Sequence, residues 1–98
     1  MSLLRRFRIK DRSMEPTLRE GDQVIVSPLP YLWGQPAVGD LVVLRHPFEE
    51  RFLVKRISGI DGPRISIVGD NRPQSTDSRD FGPVSADHLV GKVLFRLG

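Results

Sequence analysis

Short runs of β-branched and aliphatic residues recur along the chain, each bounded by turn formers. In the first, Phe7 and Ile9 alternate with Arg6, Arg8 and Lys10, the pattern of a strand with one solvated face. Gln23 to Ser27 (QVIVS) follows the Gly21-Asp22 turn, and Leu41 to Arg45 (LVVLR) follows Gly39-Asp40. Phe52 to Ile60 (FLVKRISGI) runs into Asp61-Gly62-Pro63, a hairpin-like break, and then into Arg64 to Val68 (RISIV). Val90 to Leu97 (VGKVLFRL) is the last run. Short strands separated by Gly, Asp and Pro predict an all-β fold of mainly antiparallel strands. Pro28 to Val38 (PLPYLWGQPAV) reads as a loop, because three prolines oppose a regular helix. Within it Tyr31 and Trp33 are expected to form a satellite packing cluster. Met14 to Arg19 is expected to make a short helical turn. Neither a repeat nor a boundary interrupts the pattern, so residues 1–98 are read as a single domain.

Composition narrows the chemistry. With no cysteine among 98 residues there is no disulfide framework, thiolate nucleophile or Cys-ligated zinc. Two separated histidines and no clustered carboxylates predict no metal site and no cofactor. A net charge of +3 is too even for a typical nucleic-acid module, so no nucleic-acid partner is expected. The basic cluster Arg5, Arg6, Arg8, Lys10 and Arg12 is read first as a solvated strand face, and second as an attraction for an acidic partner or an anionic membrane surface. No run approaches the ~20 apolar residues of a membrane span, and the N-terminus lacks an apolar signal core. A soluble, cytoplasmic chain without a transmembrane segment is the expectation.

The stretch DRSMEPTLREGD, Asp11 to Asp22, sets Ser13 in an unusual context. A serine hydroxyl is a weak nucleophile until a base takes its proton. His46 and His88 are candidates by residue type, but neither sits in a recognisable triad setting. Lys55 is the alternative, flanked in a predicted strand by Phe52, Leu53, Val54 and Ile57. Desolvation there would disfavour its ammonium form, provided no carboxylate reaches the nitrogen. The plain alternative is a surface lysine on an amphipathic strand. A third stretch, GDNRPQSTDSRDFGPV from Gly69 to Val84, is dense in turn formers but also in Asp, Ser and Arg. Asp77 and Arg79 are close enough to pair there, and Ser75 and Ser78 offer hydroxyls to orient a lysine amine. Taken alone, this block reads as a solvated loop of Asx and Ser turns.

Together the three stretches resemble the type I signal peptidase superfamily of serine–lysine proteases. SMEPTLREGD is similar to its nucleophile box, LVKRI to its lysine box, and GDNRPQSTDSRDFGPV to its third block, in the same order and continuing into LVGKV. The resemblance implies a β-rich catalytic core with Ser13 as nucleophile, Lys55 as general base and Ser75 as the hydroxyl that holds the lysine amine. It implies site-supporting roles for Gly69, Asp70, Asn71, Asp77, Ser78 and Arg79, and substrate contacts for Met14 and Pro16 beside the nucleophile. The partner it implies is a precursor protein bound as an extended strand. The Ser13 N–H would supply part of the oxyanion hole.

Two departures from the pattern matter. Where the family often has Gly or Ser two residues before the nucleophile, this chain has Asp11. A carboxylate would repel a developing oxyanion, so either Asp11 points away or the hole is built differently. Further, only 42 positions separate Ser13 from Lys55, with no anchor before the nucleophile box and no large insertion. A short member of this kind looks most like the nickel-type superoxide dismutase maturation proteases, which remove a short N-terminal leader. The competing expectations are the catalytic core of a membrane signal peptidase, a self-cleaving LexA-like protein, and a non-catalytic peptide-binding module on the same scaffold.

Overall fold

The structure is a computed structural model and describes residues 3–98. Seven strands form one antiparallel sheet: β1 (Arg5–Arg8), β2 (Gln23–Ser27), β3 (Leu41–Arg45), β4 (Phe52–Asp61), β5 (Arg64–Val68), β6 (Val84–Ser85) and β7 (Leu89–Arg96). Their order across the sheet is β1-β2-β7-β3-β4-β5-β6, with β7 in the interior between β2 and β3. The all-β expectation holds, and the predicted strands fall within a residue or two of their observed limits. β4 and β5 are joined by Gly62-Pro63, with Asp61 opposite Arg64. Gly62 takes φ +59°, the positive value a two-residue hairpin requires at its first central position.

The alternation in β2 puts Val24 and Val26 into one core cluster with Ile9, Met14, Leu18 and Val93. β3 is buried on both faces: Val43 joins that cluster, whereas Val42 and Leu44 pack on the other side with Leu53, Ile57, Ile65 and Ile67. Its unbroken apolar run is the mark of a strand with no solvated face. The sheet curls, so β1 and β4, separated by three strands in the hydrogen-bonded order, meet at their ends. The Phe7 and Phe52 rings lie edge to face with centroids 5.5 Å apart.

The predicted loop at 28–38 needs correction, because Leu29–Trp33 forms a short helix, α1. Pro28 precedes it and Pro30 lies in its first turn, where the N–H groups have no intrahelical acceptor to lose. Tyr31 packs against the second core cluster and donates its hydroxyl to Asp40 Oδ2 at 2.7 Å. Trp33 does not join that packing and is 84% exposed. The Met14 to Arg19 segment is a turn, closed by the Leu18 N–H on the Met14 carbonyl at 2.9 Å. A second short helix, α2 (Ser78–Phe81), completes the elements near the site.

Candidate active site

Ser13 sits in the turn between β1 and β2 and is 2% exposed. That turn is tied down from across the molecule by the third block. Asn71 donates its N–H to the Ser13 carbonyl at 2.8 Å and its side-chain amide to the Arg12 carbonyl at 2.9 Å. Asp70 accepts from the Thr17 hydroxyl at 2.5 Å and from Arg56 at 2.9 and 2.8 Å. Those bonds hold its carboxyl below the usual carboxylate range, Arg56 contributing most. The Ser13 turn is thereby clamped to β4 and to the end of β5.

Lys55 lies on β4 on the face shared with Leu53 and Ile57, and it too is 2% exposed. Its Nζ donates to Ser75 Oγ at 3.0 Å. The Ser75 hydroxyl in turn donates to Asp77 Oδ2 at 2.5 Å. A hydroxyl has one hydrogen, and here it goes to the carboxylate. Ser75 therefore takes an N–H from the amine and leaves the nitrogen lone pair free. Burial pushes the Lys55 amine below its ordinary value, opposed by the negative charges of Asp11 and Asp77.

Asp77 is fully buried and accepts five bonds: Gly69 N–H, Arg79 N–H, Arg79 Nε and Nη2, and the Ser75 hydroxyl. Burial alone would raise its pKa. The bonds from Arg79, Ser75 and the two backbone groups override that and hold the carboxyl far below the carboxylate range. Asp77 also caps α2, exchanging bonds with Asp80 in a capping box. Gly69 is where the parts converge. A β-carbon there would lie 2.6 Å from both the Ser13 carbonyl oxygen and the Ser75 Cβ. Only glycine lets the Ser13 turn and the Ser75 loop close on each other.

The structure thus gathers Ser13, Lys55, Ser75, Gly69, Asp70, Asn71, Asp77 and Arg79. The Ser78 hydroxyl, at the start of α2, accepts the Ile67 N–H of β5 at 2.8 Å. Both histidines are occupied elsewhere. His46 Nδ1 accepts the Phe48 and Glu49 N–H groups at 3.0 and 3.1 Å, and His88 Nδ1 lies 3.3 Å from the Ser85 carbonyl. Among the described residues no three His, Asp or Glu side chains gather as a metal site would need.

An open cleft of about 750 Å³ leads to this region, lined on one side by residues of β1 and on the other by Arg51, Phe52 and Val54. Met14, in the core, and Asp11 reach its wall, whereas Pro16 is exposed and not part of it. Asp11 does not point away: its Oδ1 accepts the Ser13 N–H at 3.0 Å. A second hollow of about 550 Å³, under Leu29, Trp33 and Leu94, holds no ionisable side chain. Sequence reasoning missed Thr17 and Arg56, the two partners of Asp70. Their only signal was their place inside the SMEPTLREGD and LVKRI stretches.

The profile of the family described as signal peptidase, peptidase S26, matches residues 1–69 and 66–97. The mitochondrial ATP-independent inner membrane protease subunit 1a of Arabidopsis thaliana is 35% identical, over 87% of this chain and 65% of that protein. Signal peptidase IB of Staphylococcus aureus, in strains Mu50 and N315, is 26% identical, over 92% of this chain and 75% of its own length. The chain spans just under two thirds of the plant relative, and its alignment with the bacterial one, at 145 positions, is longer than its own 98 residues. Stretches of the bacterial protein therefore have no counterpart here. The family profile nevertheless runs through the Ser13 turn, the Lys55 strand and the third block alike, and the chain belongs to the signal peptidase, peptidase S26, family.

Proposed function

We propose that the protein is a serine endopeptidase with a Ser13–Lys55 dyad that removes a short N-terminal leader from a precursor protein. The observation that carries this reading is the buried Lys55 amine, below its ordinary pKa and held through an N–H by Ser75, which meets the Ser13 turn at Gly69. Lys55 takes the proton from Ser13 Oγ as the oxygen attacks the scissile carbonyl. The same nitrogen returns that proton to the departing amine, and a water molecule then hydrolyses the Ser13 ester with Lys55 again as base. Ser75, Asp77 and Arg79 position the amine throughout.

The precursor binds as an added strand in the cleft. Two unpaired strand edges flank it. β1 is hydrogen-bonded to β2 alone, and Phe52 to Lys55 of β4 pair with β3 but not with β5, whose partners begin at Arg56. Nickel-type superoxide dismutase maturation is the proposed process, in the cytoplasm, on the strength of the short spacing between the boxes. The relatives that bear signal peptidase names favour a second substrate class, secretory leader peptides.

Mass spectrometry of a nickel superoxide dismutase precursor incubated with the protein, beside a secretory precursor and the Ser13→Ala variant, tests both readings. A single cut at the dismutase leader junction, absent with Ser13→Ala, is the expected result. A cut in the secretory precursor alone would move the substrate assignment to the second class. Cleavage undiminished in Ser13→Ala would remove the nucleophile assignment.

A further inference from the structure

In acyl transfer by a serine, the nucleophile's own backbone N–H is a standard donor to the oxyanion. In this protein that N–H is already taken. Asp11 Oδ1 accepts it at 3.0 Å, within a turn that Asn71 holds from the third block through the Ser13 and Arg12 carbonyls. Two residues of spacing make this an ordinary Asx turn, and a local structural role is the simplest account of such a bond. Two further observations point past it. Asp11 reaches the wall of the cleft, whereas Ser13 is 2% exposed and not part of that wall, so of the two it is Asp11 that a strand in the cleft would meet first. Its charge also reaches Lys55 across the site, on a different element. Arg12, the adjacent cation, is engaged by Glu15 at 3.0 Å and does not draw Asp11 aside.

We propose that the Asp11 carboxylate is an internal occupant of the oxyanion position, holding the Ser13 N–H in the resting protein and obliged to leave before Ser13 is acylated. This rests on the serine endopeptidase reading above. Its departure does two things at once. It frees a donor for the developing oxyanion, and it withdraws a negative charge that favours the ammonium form of Lys55. The resting protein is held slow by one side chain, and a strand seated in the cleft is the natural agent to displace it.

The test uses a small activated ester, so that no knowledge of the precursor is needed. With p-nitrophenyl acetate, Ser13 Oγ bonds to the acetyl carbon, its proton passes to Lys55 and p-nitrophenolate leaves. Acetylation at residue 13 is timed by peptide mass mapping in the wild type, Asp11→Ala and Asp11→Asn, with Ser13→Ala as the blank and thermal midpoints recorded for all. Asp11→Ala is expected to acetylate at least about tenfold faster than the wild type, part of the ~10²-fold or more that one oxyanion donor is worth. Asp11→Asn, which keeps the shape and the accepting oxygen but not the charge, is expected between the two. It also serves if Asp11→Ala fails to fold. Ser13 acetylated as fast or faster in the wild type than in folded Asp11 variants would overturn the inference while leaving the nucleophile in place. Acetylation of Ser13 in none of the proteins would instead remove the nucleophile assignment, and the inference with it.

Discussion

A lysine amine out of reach of water loses the solvation that stabilises its charged form, and Lys55 is 2% exposed. Because its pKa is lowered, the neutral base is present at a lower pH than for a free lysine. Ser13 acylation should therefore rise with pH along a limb displaced below the ordinary lysine range, which a pH–rate profile measures. The same shift acts on stability. Between the folded and unfolded pKa values the unfolded chain binds more protons, so this contribution is full above the unfolded value and is lost as pH falls through the folded one. Lys55→Met should abolish cleavage yet raise stability at neutral pH by about 1 kcal/mol, read by urea unfolding. Asp77 behaves oppositely to substitution. Its removal leaves Arg79 and Ser75 without their acceptor, and Asp77→Ala should lose about 3 kcal/mol and lower the thermal midpoint by about 10 °C or more. Ser13, Lys55 and Ser75 were legible in the sequence because each stands in a recognisable box. Asp11 was legible only as an anomaly, since a side-chain rotamer decides whether it faces the Ser13 N–H or the solvent.

Among the elements, the strands were readable because β-branched runs end at Gly-Asp and Gly-Pro turns, and sequence alone marks both. The helix α1 was not, because prolines at its start look like breakers until their place in the first turn is known. β6 has two residues and no pattern to read. Two glycines separate stability from chemistry. At Gly91 on β7 a β-carbon would lie 2.7 Å from the Ser27 carbonyl oxygen on β2, so Gly91→Ala should cost about 2 kcal/mol while leaving the turnover of folded molecules unchanged. Gly69→Ala pushes the Ser13 turn away from Ser75, and activity should fall about 10²-fold or more even where the protein remains folded at low temperature. Parallel thermal melts and single-turnover assays on the two variants distinguish them.

At the scale of the molecule, the sheet's curl makes the cleft, and a linear pattern of strands carries no record of curl or of strand order. The cleft is charged as well as grooved: Arg6, Arg8, Lys10 and Arg51 line it against Asp11 and Glu50. A precursor with acidic residues along its bound strand should show a KM that rises with ionic strength, measured against a neutral counterpart. Within the sheet, the β1-β2 pair that flanks Ser13 is bonded to the rest only through β7, and Lys55 belongs to the other part. A chain emerging from the ribosome makes β1 to β6 first, with the middle of its sheet still missing. Until β7 arrives, the nascent protein carries two unsatisfied inner edges, a hazard for aggregation, and only the Asn71 and Asp70 bonds tie its Ser13 turn to the Lys55 part. The same gap is an engineering handle: β7 supplied as a separate peptide would act as a key, so that proteolysis reports its delivery.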